Sequence, residues 1–269
     1  SHNLKYLYLA GRLFGLRQHI FFHEHFGNIE IDQRVRWFHK RIYPSTTLIA
    51  VSRKIQHWAL YNLKMDARKV FLLPNIVAYT PNHQTRQPNH VLQLLITSNF
   101  RPTKHLEFAL QLLAAIKQQQ PVHLTMVGQA VDKAYYQHIL QTIEQLGLQP
   151  NVTINHHCHN IQAITHLFDA ALHTARSESG PLVLIEYMAQ GLPFLTYQTG
   201  EVVHQVQQLL PQCIVPNFEI GQWLQQLQQL LQQNGPALQQ QLQQVYGIFY
   251  SNHAYYQQVM HIYASVNKG

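Results

Sequence analysis

Short runs of β-branched and apolar residues alternate along this chain with longer stretches whose apolar positions recur at helical spacing. That alternation predicts parallel α/β units. Residues 19–22 read as a strand, 29–42 as a helix, 46–51 as a strand, 53–63 as a helix and 70–73 as a short strand. From 78 to 89 the chain turns polar and carries two prolines, which predicts a linker. Beyond it, 91–97 reads as a strand, 103–119 as a helix capped by Thr103, 122–127 as a strand and 130–146 as a helix ended by Gly147. Residues 152–154, 170–174, 194–197 and 213–215 read as further strands, each followed by a helix. The expectation is α/β, with a doubly wound parallel sheet of about six strands and ligands outside the carboxyl ends of those strands.

Residues 220–246 are rich in Gln and Leu. Regular Leu spacing predicts amphipathic helices with Gln outward, and a prion-like tract is the alternative. A final helix is expected at 255–266. The 269 residues suffice for one large or two modest domains, and 46% hydrophobic residues permit full cores. No apolar run reaches the length of a membrane span. The chain opens Ser-His-Asn, with no initiating Met or signal peptide. Cys158 and Cys213 alone make no disulfide framework and no spaced metal set, which fits a reducing cytoplasm. The formal charge is +7, with Arg34, Arg36, Lys40, Arg41, Arg53, Lys54, Lys64, Arg68 and Lys69 clustered early. These cations either face an anionic partner, such as the inner face of a membrane, or are solvated helix faces. No nucleic-acid signature accompanies them.

The chemistry concentrates in residues 176–195, Arg-Ser-Glu-Ser-Gly-Pro-Leu-Val-Leu-Ile-Glu-Tyr-Met-Ala-Gln-Gly-Leu-Pro-Phe-Leu. Pro181 suits a first helical position, and Gly191 and Pro193 stop the helix. Glu186 lies among Leu182, Val183, Leu184, Ile185, Met188 and Leu192. An ionised carboxylate is costly there unless a cationic side chain or a ligand with paired hydroxyls satisfies it. The preceding turn offers backbone N–H groups to an anion. A phosphate loop beside a diol-binding carboxylate suggests a sugar nucleotide. A second turn, Ser98-Asn99-Phe100-Arg101-Pro102-Thr103-Lys104, places Arg101 and Lys104 at the mouth of a helix, where they would stabilise a departing diphosphate. Arg176 either adds positive charge or pairs with Glu178.

Ser177 to Pro193, together with Val51-Ser52 and Leu73-Pro74-Asn75, resemble the retaining nucleotide-sugar glycosyltransferases of the GT-B type, glycosyltransferase family 4. The spacing of Glu178 and Glu186 is that family's signature. The resemblance implies one complete Rossmann-like domain at 90–247 and the C-terminal part of a second at 1–77. It also implies a linker at 78–89 and a helix at 248–269 that crosses back to the first domain. It implies that Glu186 binds the ribose hydroxyls, while Glu178 with Ser179, Gly180, Pro181 and Leu182 holds the transferred sugar and the diphosphate. Asn99 stands where the family commonly has Arg, with Arg101 as substitute cation. Ser179-Gly180-Pro181 replaces Gly-Phe-Gly, and Pro181 cannot donate an N–H. Ile76 follows Asn75 where Gly is usual. The Asn-Phe-Arg-x-x-Lys turn is similar to the branch that makes N-acetylglucosaminyl malate.

His23, in Phe22-His23-Glu24-His25, stands where the family has a histidine near the donor sugar. An ordinary loop histidine and a His-x-His metal pair are the alternatives. His156, His157 and His159, with Cys158, converge poorly on one ion, and a loop near the nucleobase is expected there. No Asp-x-Asp occurs. The expected enzyme is therefore metal-independent and cofactor-free. It would move a hexose or N-acetylhexosamine from a nucleotide-diphosphate sugar, with UDP expected, to a carbohydrate, lipid-linked or small-molecule acceptor. Retention would proceed by front-face displacement. A non-catalytic nucleotide-sugar-binding module or inactive fragment is one alternative, and an inverting transferase of the same fold is another. The resemblance places Ser1 inside the first domain, so donor binding with weak or absent transfer is expected.

Overall fold

The computed structural model describes residues 2–15, 19–25, 34–35, 37–82, 84, 90–233 and 235–267. They fall into two units, one of residues 1–75 with 252–269 and one of residues 76–251.

In the first unit, β1 (Phe21–Glu24), β2 (Thr47–Ala50) and β3 (Val70–Leu72) pair in parallel in that order. Helix α1 (His2–Leu13), for which the residue pattern gave no expectation, precedes them. Of the helix expected at 29–42, α2 (Trp37–Ile42) is seen, and 29–33 and Arg36 lie outside the described residues. Helix α3 (Arg53–Tyr61) begins where the Ser52 hydroxyl accepts from the Ile55 N–H at 3.3 Å, the N-cap arrangement. Ile55, Trp58 and Ala59 turn inward onto Leu48, Ala50 and Val70. The final helix α10 (Asn252–Asn267) belongs to this unit and packs Ile262 with Ile49 and Leu73.

In the second unit, β4 (Leu92–Thr97), β5 (Val122–Val127), β6 (Val152–Asn155), β7 (Ala170–His173), β8 (Phe194–Tyr197) and β9 (Ile214–Val215) form one sheet. Its order is β6-β5-β4-β7-β8-β9, parallel throughout. The chain leaves β4 toward one edge and β7 toward the other, so the order reverses between them. Such a reversal opens a crevice at the carboxyl ends of the two strands. Strands buried on both faces read as continuous apolar runs, as Leu94, Leu95 and Ile96 do in β4.

Helices α4 (Leu106–Lys117), α5 (Lys133–Gln145), α6 (Leu182–Gln190), α7 (Glu201–Val206), α8 (Ile220–Gln232) and α9 (Pro236–Phe249) cover the sheet. In α8 the residues Trp223, Leu227 and Leu230 are buried while its Gln residues mostly face outward, the amphipathic reading of that stretch. The expected helix after β6 is absent among the described residues. Residues 156–164 run as loop and turn, and only a short 3₁₀ turn, Thr165–Leu167, precedes β7. The expected linker is not loose at its start. The Thr80 N–H donates to Gln162 Oε1 at 2.9 Å, Asn82 bonds the Gln162 carbonyl, and Tyr246 donates to the Val77 carbonyl. Residues 83 and 85–89 lie outside the described residues. No described helix is long and apolar enough to cross a membrane.

Candidate donor site

The site grows from the ends of β4 and β7. After β4, residues 98–101 run on beside the end of β5, with Ser98 and Phe100 N–H groups donating to the Val127 and Gln129 carbonyls, and the Asn99 side-chain oxygen accepts from the Gln129 N–H at 3.0 Å. Asn99 therefore ties the first turn to the turn after β5. Pro102–Lys104 form a 3₁₀ turn, with Arg101 exposed before it. His105 follows at φ 52°, in the left-handed region that side chains other than glycine seldom occupy. The α-helix begins only at Leu106, so Thr103 is not its cap. The proline-led turn and the left-handed His105 displace the start by three residues.

The first turn of α4 is also not open to an anion. The Leu106 N–H donates to the Tyr135 hydroxyl at 2.8 Å, and that hydroxyl donates to the Glu107 carboxylate. Burial and that carboxylate both push the Tyr135 pKa up, so the hydroxyl keeps its proton. Arg101 and Lys104 thus supply charge without a vacant helix end behind them.

The segment after β7 is laced to this turn. The Thr174 hydroxyl donates to the Lys104 carbonyl at 3.0 Å, and the Arg176 N–H to the Thr103 carbonyl at 2.9 Å. The Arg176 guanidinium donates to His105 Nε2 at 2.7 Å. Burial and this guanidinium lower the His105 pKa, which keeps its ring neutral and able to accept. Arg176 does not pair with Glu178; Lys104 does. Burial alone would raise the Glu178 pKa, but the nearby His173 ring and the Lys104 ammonium outweigh it and hold the carboxyl at about 2. His173 was not singled out from the sequence. Its Nε2 stands 3.6 Å from Glu178 Oε1, an ion-pair distance.

Helix α6 presents the contrasting case. Pro181 is its N-cap residue, one place earlier than expected, and Leu182 is the first helical residue. The Glu201 N–H donates to the Ser179 carbonyl at 2.8 Å, pinning the loop from the far side. Gly200, at φ 86°, makes that approach: a Cβ there would lie 2.8 Å from Pro181 Cδ and 3.3 Å from Glu178 Cβ. The N–H groups of Gly180, Leu182 and Val183 have no partner among the described residues. Leu182 itself is 45% exposed. Gly191 closes the helix in the left-handed conformation, at φ 70°.

Glu186 lies one turn into α6, half-buried. No hydrogen bond or ion pair reaches it among the described residues, and burial raises its pKa. The cationic partner weighed from the sequence is therefore not found. On the other side of its helix the fully buried Tyr187 accepts from the Thr97 N–H at 3.2 Å and fixes α6 to β4.

His156 bonds the Gly128 carbonyl at 2.6 Å and Tyr136 at 3.2 Å, at the end of β6. His23 lies in the other unit, on β1, exposed and stacked on His25 at 6.0 Å. Partial desolvation first, and His25 second, lower its pKa. Beside it Glu24 is buried and accepts from Tyr43 at 3.1 Å. Among the described residues no three His, Cys, Asp or Glu side chains converge as a metal site.

Solved structures that resemble the chain are glycosyltransferases of the GT-B fold. One is a glycosyltransferase from Rickettsia africae, at TM-score 0.79 and 16% identity, covering 100% of this chain and 81% of that one. Another is HepE from Anabaena, solved with UDP and glucose, at TM-score 0.73 and 18% identity, covering 97% and 76%. A third is sucrose-phosphate synthase from Thermosynechococcus elongatus, at TM-score 0.72 and 17% identity, covering 97% and 71%. No curated protein matches the chain. The family profile of the glycosyl transferases group 1 matches residues 82–245, and the chain belongs to that family.

Proposed function

We propose that this chain is a metal-independent, retaining hexosyltransferase of glycosyltransferase family 4, acting on a UDP-sugar. One observation carries the reading: Glu186 is a desolvated carboxylate with no partner among the described residues, one turn inside a helix whose first N–H groups are likewise unpartnered among them. A carboxylate in that position accepts two hydrogen bonds from a vicinal diol such as ribose, which offsets its burial. The N–H groups of Gly180, Leu182 and Val183, with Lys104 and the exposed Arg101, would then take the diphosphate. Glu178, gripped through Oε1 by Lys104, keeps Oε2 for a hydroxyl of the transferred sugar. The structures of HepE with UDP and with UDP-glucose support UDP as the donor nucleotide.

Transfer would be a front-face displacement. The anomeric carbon–oxygen bond to the diphosphate breaks as the acceptor oxygen bonds that carbon from the same face; the two cations take up the charge on the leaving diphosphate, and its oxygen receives the acceptor proton. Asn99 serves this site by holding the turn, since its side-chain oxygen is engaged by Gln129. His23 is assigned to sugar or acceptor contact by resemblance alone. The acceptor is taken to be a carbohydrate or lipid-linked molecule of cell-surface glycoconjugate synthesis, with the early basic residues as a contact to anionic membrane. Titration calorimetry with UDP, UDP-glucose, UDP-galactose and UDP-N-acetylglucosamine, followed by a hydrolysis and transfer assay, tests the reading. Saturable donor binding is expected, with the anomer retained in whatever hydrolysis or transfer product forms. No binding of any of these nucleotides would overturn it.

A further inference from the structure

His173 closes β7 and is 4% exposed. Its Nδ1 lies 3.0 Å from the Thr196 hydroxyl oxygen, and that hydroxyl lies 3.0 Å from the Tyr197 carbonyl. A hydroxyl has one proton to give. It goes either to the Tyr197 carbonyl, with Nδ1 donating to Thr196, or to Nδ1 itself, so Thr196 orients the ring under both tautomers. The other nitrogen, Nε2, is buried with no hydrogen-bond partner among the described residues and faces Glu178 Oε1 at 3.6 Å. A lone pair set against a carboxylate is repulsive there, whereas a hydrogen on Nε2 makes the contact attractive.

We infer that His173 is a positioning residue: through a hydrogen on Nε2 it holds Oε1 of Glu178 together with Lys104, so that Oε2 is presented to the donor sugar. The inference rests on the donor-site reading above. The loop bearing Glu178 is otherwise held by its backbone, through Arg176 to Thr103 and through Ser179 to Glu201. Those bonds fix where the loop runs without fixing the rotation of the carboxylate. Lys104 and the Nε2 hydrogen, converging on one oxygen, do fix it. Thr196 in turn sets the ring orientation, being fully buried and bonded to Nδ1. This role concerns the sugar and leaves the nucleotide untouched, because ribose and diphosphate are assigned to Glu186 and to the start of α6.

The separation of sugar from nucleotide supplies the test. Dissociation constants for UDP and for UDP-glucose, UDP-galactose and UDP-N-acetylglucosamine are measured by calorimetry on the whole chain. The readout is the gain in affinity that the best of these sugars adds over UDP. In His173→Leu that gain should fall about fivefold to tenfold, the loss of one of the two groups that hold Oε1, while UDP affinity stays within about twofold. His173→Gln, whose amide nitrogen can reach the place of Nε2, should recover most of the gain. Thr196→Val, which frees the ring to turn, should lose about twofold to threefold of it, the weaker effect of a neutral bond. An unchanged gain in His173→Leu, or an equal weakening of UDP and UDP-sugar, would overturn the inference while the donor-site reading stands. A wild-type chain that binds UDP but gains nothing from any of the three sugars would also overturn it. Failure of the wild-type chain to bind any of the four nucleotides would instead remove the donor-site reading itself, and this inference with it.

Discussion

Helices α4 and α6 both start just beyond neighbouring strands of one sheet, β4 and β7, yet their first turns are opposites. At α4 the leading N–H is taken by Tyr135, whose own proton goes to Glu107. At α6 the leading N–H groups and the carboxylate one turn in, Glu186, are left without partners among the described residues. A fold normally satisfies such groups internally, because each one buried and unpaired costs about 1–3 kcal/mol. The difference teaches where a ligand belongs: the saturated end serves stability, and the unsaturated end is complete only when something binds.

The largest effect should come from removing the unsaturated carboxylate. Glu186→Gln is expected to weaken UDP about tenfold to a hundredfold, the loss of about 1.5–3 kcal/mol carried by hydrogen bonds to a charged group. The ligand-free protein should melt no lower than wild type, because a desolvated charge has been removed. Calorimetry and a thermal melt check both halves; a large fall in melting temperature with unchanged UDP affinity would make Glu186 a structural residue.

Lys104→Ala should act on both fronts at once. It strips Glu178 of its ammonium partner in a largely buried pair and removes a diphosphate cation. A loss of about 1–3 kcal/mol of stability is expected, with weaker UDP binding. By contrast, Tyr135→Phe at the saturated turn should lower stability by about 1–3 kcal/mol, since the Leu106 N–H loses its acceptor. UDP affinity should hardly change. Urea melts beside calorimetry separate the two variants.

The two carboxylates should also differ in sign with pH. Glu178 has its folded pKa depressed to about 2 from 4.5, so it contributes stability above about pH 4.5 that is lost as pH falls toward 2. Glu186 has its folded pKa raised. Its favourable contribution is present below the unfolded value and disappears as pH rises through the folded one. Melting temperature against pH should therefore show a fall on the rising side of the carboxylate range that Glu186→Gln abolishes. UDP-glucose affinity should climb over the same interval as the carboxylate ionises, and the climb should be missing in the variant. The smallest effect is expected from Pro181→Ala, which restores one backbone N–H and should shift UDP affinity by no more than about threefold, the worth of one neutral hydrogen bond.

Much of this was legible in the residue pattern, for identifiable reasons. The strand runs of the second unit were readable because fully buried parallel strands are apolar on both faces, as in Leu94, Leu95 and Ile96. Glu186 was conspicuous as a charge inside an apolar helix. The start of α4 was misplaced because a left-handed His105 has no sequence signal, unlike a glycine. The filling of that helix end was invisible because Tyr135 comes from a separate helix, 29 residues along the chain from Leu106. The pairing of Lys104 rather than Arg176 with Glu178 depends on which side chain the lacing of Thr174 and Arg176 to the 102–105 turn leaves free. His173 looked like any buried strand residue, since only the third dimension brings Thr196 to one nitrogen and Glu178 to the other.

If a nucleotide completes the unsatisfied start of α6, a crystal structure of the chain with UDP will show it. Both ribose hydroxyls should donate to Glu186, and the diphosphate should lie on the N–H groups of Gly180, Leu182 and Val183, with Lys104 alongside. UDP bound elsewhere, with Glu186 still bare or paired with an Arg or Lys side chain, would contradict it.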